Sequence, residues 1–180
     1  MLPEQILEFW FKEIDRKVWF NSTPEFDAQL KERFERVYLS ALNNELENWE
    51  NSPQGSVALV IVLDQFPLNM YRGLPQSFSG ESKSREVARR AIKNNFDLEL
   101  PGEQKAFLYM PFMHSEDLGD QDLSVMLYSK AGLDHNLRFA KHHREIVRKF
   151  GRFPHRNKIL GRESTEAEIA YLNSKEAFLG

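Results

Sequence analysis

The chain has 180 residues, of which 41% are hydrophobic and 28% charged, with a net charge of −3 and no cysteine. This length suits one compact domain, predicted here over residues 1–180, and the composition excludes a disordered chain. The lack of cysteine excludes disulfides, thiolate nucleophiles and thiolate-bound metals.

The first residues, MLPEQILEFWF, contain an acid at Glu4 and lack the basic region and cleavage site of a secretory signal. No later segment approaches the length of a membrane span. We therefore predict a cytoplasmic protein without a membrane partner.

Helix signals begin at the first proline. Pro3 suits a first helical turn before EQILEFWFKE, while Thr23 and Pro24 cap and open a second helix. Apolar residues in that second helix recur at spacings of three and four, which predicts one buried face: Phe26, Leu30, Phe34, Val37 and Ala41.

The apolar run SVALVIVLDQF suits either a buried strand or a buried helix. We predict a helix, because Ser52 and Pro53 form a start signal and no other run can pair with it as a second strand. Its apolar surface on all sides indicates a central helix, bent or ended near Pro67.

Four further segments have helical patterns: GESKSREVARRAIKNNF, LPGEQKAFLYM, EDLGDQDLSVMLYSKAG and DHNLRFAKHHREIVRKFG. The last two end at Gly132 and Gly151, and a final helix opens with Thr165 and Glu168 at capping-box spacing. The pattern predicts an all-α domain of about seven to nine helices, whose short connections favour antiparallel helix pairs.

The segment PFMHSEDLGDQ places a histidine, a serine and carboxylates after a proline. Pro111 predicts the end of one helix, and Ser115 is the expected cap of the next. Glu116 and Asp117 would then lie in its first turn, where the helix dipole favours carboxylates. This interpretation leaves His114 unexplained, so a catalytic or binding role for the segment stays open.

Asp64 follows the apolar run and is expected on the inward surface of the central helix. A buried carboxylate is costly unless paired, so we expect a partnership with Arg72, a histidine or an arginine of a later loop. A structural ion pair and a ligand-binding role both fit this position.

His143 shares a helical stripe with Phe139, Ile146 and Phe150, so it is expected to face the core. The opposite face carries a charged series predicted to be solvated: Arg138, Lys141, Glu145, Arg148 and Arg152. Residues 138–158 contain eight basic residues against one acid, which leaves −10 for the remainder. This balance predicts no nucleic-acid partner and leaves a binding role for the basic segment open.

The loop GRFPHRN supplies Arg152, His155, Arg156 and Asn157, and Arg162 follows it. Arginine suits carboxylates and phosphates, and histidine and asparagine orient polar ligands. Phosphate-loop, dinucleotide, nucleophile-elbow and zinc-protease motifs are absent, and the five histidines have no regular ligand spacing. We therefore predict neither a metal nor a cofactor.

Three blocks, VLDQFPLNMYRG, YMPFMHSEDLGDQ and GRFPHRNKILGRESTEAE, resemble signature segments of the bacterial family catalogued as domain of unknown function 924. The resemblance implies one all-helical domain with a tetratricopeptide-like arrangement, and it carries no established activity. It also implies a set of matching site positions: Asp64, Gln65, Pro67, Asn69, Arg72, His114, Glu116, Asp117, Gln121, His155, Arg156, Asn157 and Arg162.

The leading hypothesis is a helical binding protein whose pocket joins the regions near residues 64, 114 and 155 and receives a small anionic ligand or an acidic peptide end. One alternative is a small-molecule hydrolase with His114 or His155 as general base, oriented by Asp64, Glu116 or Asp117 and supported by arginine. Another is a protein–protein interaction scaffold. Ligand identity and oligomeric state do not follow from the sequence.

Overall fold

A computed structural model describes residues 1–19 and 21–179. The α-helices within them are α1 (Pro3–Glu8), α2 (Pro24–Leu42), α3 (Pro53–Val60), α4 (Phe66–Met70), α5 (Glu81–Lys93), α6 (Phe96–Glu99), α7 (Gly102–Met113), α8 (Leu118–Lys130), α9 (Asp134–Phe150) and α10 (Glu166–Leu172). This described part contains no strand, which confirms the all-α prediction. Since α3 and α4 form one continuous helix, nine helices are present there, within the predicted range.

The chain divides into two compact units. Unit 1 comprises residues 1–72 and 76–111, and unit 2 comprises residues 73–75 and 112–180. The prediction of one domain over 1–180 and that of a tetratricopeptide-like arrangement stay predictions. In the described part of the chain, no helix combines the length and apolar character needed to cross a bilayer.

The core of unit 1 is built from aromatic rings. Phe9 lies 4.6 Å from Phe34 and Phe34 lies 4.9 Å from Phe66, measured between ring centroids. Trp10 is fully buried and lies 5.6 Å from Phe66. The predicted apolar face of α2 therefore packs onto the central helix, as rings of this size favour tilted and edge contacts.

The central helix confirms the choice of helix over strand for the apolar run. Ser52 accepts the N–H of Gly55 as the cap, and α3 is buried on all sides from Gly55 to Val60. A π-helical turn, Ile61–Gln65, joins α3 to α4. Pro67 has no N–H to donate, and the helix accommodates it by this change of register and continues to Met70.

Two glycines of unit 1 are required by close backbone approach. A Cβ built at Gly80 would lie 2.1 Å from the Leu63 carbonyl oxygen, and one at Gly55 would lie 2.0 Å from the Trp49 carbonyl oxygen. Neither glycine has a positive φ, so the requirement is one of space alone.

Unit 2 pairs α8 with α9, and the loop after α9 and helix α10 pack beside them. Its apolar core contains Ile146, Val147 and Phe153 with Phe150, Tyr171 and Phe178 packed against them. Gly151 ends α9, as predicted, and its φ of 70° lies in the left-handed region that glycine favours. The predicted capping box of Thr165 and Glu168 is also present at the start of α10.

Three predictions for the PFMHSEDLGDQ segment are wrong. Pro111 lies inside α7, which continues to Met113, because burial of Phe112 and Met113 offsets one missing backbone hydrogen bond. The cap of α8 is Asp117, whose Oδ1 accepts the Asp120 N–H at 3.0 Å.

Ser115 supports the turn before α8 instead of capping the helix. Its hydroxyl accepts the Asp117 N–H at 3.2 Å and donates to Asp120 Oδ2 at 2.7 Å. The third wrong prediction concerns the two acids: Glu116 precedes α8 and Asp117 caps it, so neither lies in the first turn. The position is set by tertiary contacts rather than by the helix dipole.

Candidate functional site

In unit 2, Glu116 and Arg162 form a two-pronged ion pair. Arg162 Nη1 and Nη2 donate to the two Glu116 carboxylate oxygens at 2.7 and 2.9 Å. Glu116 Oε1 also accepts the Phe153 N–H at 2.8 Å, and Arg162 Nη2 donates to the Phe153 carbonyl at 3.2 Å. This geometry ties the turn before α8 to the loop after α9.

A second carboxylate, Glu168, continues the network. Arg152 Nε and Nη2 donate to its two oxygens at 2.7 and 2.9 Å, and its side chain is only 2% exposed. Asn157 connects the two ion pairs by accepting from Arg162 Nε at 3.0 Å and donating to Glu168 Oε2 at 3.3 Å. The prediction of a solvated Arg152 is wrong, because the arginine turns inward to this buried carboxylate.

Both carboxylates are held in their ionised form. Burial raises the pKa of Glu116, but the hydrogen bonds from Arg162 and the Phe153 N–H and the charges of Arg162 and Arg156 outweigh it, so the pKa lies below its ordinary value. The hydrogen bond from Arg152 is the main cause that lowers the pKa of Glu168 to about 2. Neither group is available as a proton acceptor near neutral pH.

His143 is buried, as predicted, and its tautomer follows from its contacts. Its Nδ1 lies 2.8 Å from the Phe139 carbonyl oxygen, which only accepts, so Nδ1 carries the hydrogen. Burial lowers the pKa of His143 to about 3, with smaller contributions from His114, His142 and His155. The imidazole is therefore neutral, with the lone pair on Nε2. Phe139, expected on the same inward stripe, is instead 47% exposed.

His155 and His143 meet around an aromatic ring that the sequence did not single out. Phe178 lies 4.5 Å from His143 and 5.0 Å from His155, and Phe153 lies 5.5 and 5.7 Å from the same two imidazoles, between centroids. Burial lowers the pKa of His155 to about 4, followed by the charge of Arg156. Its Nδ1 is buried and has no hydrogen-bond partner among residues 1–19 and 21–179.

Two side chains position the His114 segment. Arg156 Nη2 donates to the His114 carbonyl at 3.0 Å, and the guanidinium stacks over Phe153 at 4.9 Å. Gln121 Nε2 donates to the carbonyls of Met113 and Ser115, both at 2.7 Å, on either side of His114. His114 is close enough to His143 and His155 to lower both their pKa values.

We call His114, His143, His155, Phe153 and Phe178 the histidine cluster. Among the other predicted site residues, Arg162 binds both Glu116 and Asn157 beside this cluster, and Asp117 caps α8. An open depression of about 440 Å³ also occurs in unit 2, between Lys149, Phe150 and Arg152 and the start of α10. The cluster residues do not line it.

The remaining candidates lie in unit 1. Asp64 and Gln65 are buried on the π-helical turn, and Gln65 Nε2 donates to Asp64 Oδ2 at 2.6 Å. Arg72 is not the partner of Asp64; its Nε donates to Asp27 at 2.7 Å. The convergence of the regions near residues 64, 114 and 155 stays a prediction.

Sequence reasoning missed Phe153 and Phe178 as site residues. Phe178 follows α10 in a non-helical segment, where no periodicity marks it as buried. Glu168 was recognised only as a capping residue, although its second role is to bind Arg152. The described residues contain no group of three or more His, Asp or Glu side chains placed to hold a metal ion.

Comparison with known proteins gives a family and a fold. The profile of the family described as bacterial protein of unknown function (DUF924) matches residues 6–176. A solved protein of unknown function from Agrobacterium tumefaciens shares 36% identity and superposes with a TM-score of 0.90 over 95% of this chain and 96% of its own. No curated protein sequence matches the chain.

Proposed function

This chain belongs to the DUF924 family, whose function is unknown, and we propose that it binds a small anionic ligand at the histidine cluster of unit 2. One observation carries the proposal: His143 and His155 meet in a buried aromatic setting, close to His114 and to two arginines. The charges of Arg156 and Arg162 lower the pKa of His155 and that of Glu116 raises it, so two cationic side chains and one carboxylate act on this imidazole.

An anion would supply negative charge where the cluster has neutral imidazoles. Protonation of His143 would occur at Nε2, since Nδ1 already donates its hydrogen to Phe139. Among the described residues, Glu116 is the one carboxylate that raises the pKa of His155, and Arg162 already binds it. A bound anion would raise the pKa values of both imidazoles, so its binding is coupled to proton uptake.

The same facts favour binding over the general-base hydrolase. With a pKa of about 4, His155, one of the two histidines considered as general base, is a weak base at neutral pH.

Titration calorimetry with acetate and with inorganic phosphate at pH 7 and pH 6 tests the proposal. If one proton is taken up per anion, the affinity rises up to about tenfold between these pH values. His155→Gln should weaken binding by about tenfold or more, whereas His135→Gln, an exposed histidine on α9, should leave it unchanged. Absence of binding by both anions, or equal affinities for the two variants, would contradict the proposal.

A further inference from the structure

Phe178 is the residue in the histidine cluster with the weakest attachment to the fold. It belongs to the segment 173–179, which follows α10 and has no helix of its own. The hydrogen bonds of this segment reach only to nearby residues: the Phe178 N–H donates to the Tyr171 hydroxyl at 2.9 Å, and the Ser174 hydroxyl donates to the Tyr171 carbonyl at 2.7 Å and accepts the Glu176 N–H at 3.2 Å. Phe178 is half-buried, unlike Phe153, which is 1% exposed.

The ring of Phe178 has the contacts of a bound aromatic group. It is tilted by 59° to His143 and stands edge-on at 87° to His155, and it lies 6.4 Å from the exposed His142. It also packs against the apolar core formed by Ile146, Val147 and Phe153. The surface that contacts Phe178 thus consists of apolar side chains and two imidazole rings. Such a surface can bind an aromatic ring through edge and tilted contacts.

We infer that the ligand of the histidine cluster is an aromatic carboxylate whose ring takes the place of Phe178, and that Phe178 is a displaceable intramolecular competitor. The inference rests on the proposed function for the carboxylate part. The assignment of an aromatic ring to the ligand rests on the position of Phe178. A free small molecule and an aromatic residue at the carboxyl end of a peptide share this chemistry.

Competition by Phe178 lowers the observed affinity by the fraction of molecules in which the slot is open. If that fraction is about one-tenth, Phe178→Ala raises the affinity about tenfold for a ligand that needs the slot. A ligand that does not enter the slot gains nothing from the same substitution.

The test measures the affinities of 3-phenylpropionate, acetate and benzyl alcohol for the full chain and three variants by titration calorimetry. Phe178→Ala should bind 3-phenylpropionate about tenfold more tightly than the unsubstituted chain and acetate equally. Tyr171→Phe, which removes the acceptor for the Phe178 N–H, should give a smaller gain. Met126→Ala is the control, since Met126 is an exposed apolar side chain of α8 outside the histidine cluster.

The outcomes separate the two proposals. Acetate binding without any gain for 3-phenylpropionate in Phe178→Ala overturns the inference and leaves the proposed function standing. Gains for 3-phenylpropionate and benzyl alcohol without acetate binding support the aromatic slot and contradict the anion site. Absence of binding by all three probes to every variant overturns both. A small peptide ending in phenylalanine, compared with its amidated form, then distinguishes a peptide end from a free metabolite.

Discussion

The two units secure their irregular segments by different physical means. In unit 1, the π-helical turn beside Pro67 is held by fully buried apolar side chains and by the close approach of Gly80 to the Leu63 carbonyl. In unit 2, the loop after α9 is held by two ion pairs that Asn157 links. The difference teaches that the irregular segment of unit 1 depends mainly on the shape of its packing, whereas the loop of unit 2 depends mainly on the protonation states of its side chains.

The largest loss of stability should result from adding a methyl group at a buried glycine of unit 1. Gly80→Ala places a Cβ at 2.1 Å from the Leu63 carbonyl oxygen, which is backbone and has no room to move. We expect a loss of about 3–4 kcal/mol in the free energy of unfolding, measured by urea denaturation. Gly119→Ala in α8 is the control, because its Cβ meets only the Asp117 side chain. Equal losses for the two variants would contradict the account of unit 1.

Removal of one charge from the network should have the next largest effect. Glu116→Gln leaves Arg162 without its carboxylate, and we expect a loss of about 2 kcal/mol, since hydrogen bonds to charged groups contribute this much. Glu163→Gln, an exposed acid of the same loop, should stay within about 0.5 kcal/mol of the unsubstituted protein.

A double-mutant cycle between Glu116→Gln and Arg162→Met sharpens this result. A coupling energy of about 1–2 kcal/mol is expected for contacting, hydrogen-bonded partners. Additive effects of the two substitutions would show that the ion pair does not hold the loop.

The smallest expected effect is a gradual change with pH in the free energy of unfolding, which comes from the buried histidines of unit 2. The pKa of His143 is about 3 in the folded protein against an ordinary value of 6.5, so the unfolded chain binds more protons between these limits. Stability is therefore lost as the pH falls through 6.5, and between pH 7 and pH 5 this one group costs about 2 kcal/mol. His155 acts in the same direction, and the charged and titratable groups around the two imidazoles are His114, His142, Glu116, Arg156 and Arg162.

Urea denaturation of His143→Phe at the two pH values checks this prediction. The variant should lose about 2 kcal/mol less than the unsubstituted protein on acidification, because a ring without a titratable group carries no such penalty. His135→Asn, at an exposed position, should retain the original pH dependence. An unchanged pH dependence in His143→Phe would show that the imidazole is not buried in its neutral form.

Local signals account for much of what was predicted correctly. The caps at Thr23, Ser52 and Thr165 act within three residues of the chain, so short motifs are enough to place the helix starts. The inward position of His143 followed from helical periodicity in the same way. Errors occurred where tertiary contacts outweighed a local rule, for example at Pro111 and Ser115, through burial of neighbouring residues and contacts of the turn.

The sequence by itself determined the helical class, most helix starts and the list of polar side chains from which the candidate site is drawn. Only the tertiary structure decided which of these side chains bind each other: Glu116 pairs with Arg162, and Glu168 pairs with Arg152. It also decided that Phe178 completes the histidine cluster. The physical reason is range: capping and periodicity act over one or two turns, whereas these pairings join residues 16 to 46 positions apart through the packing of α8, α9 and the loop between α9 and α10.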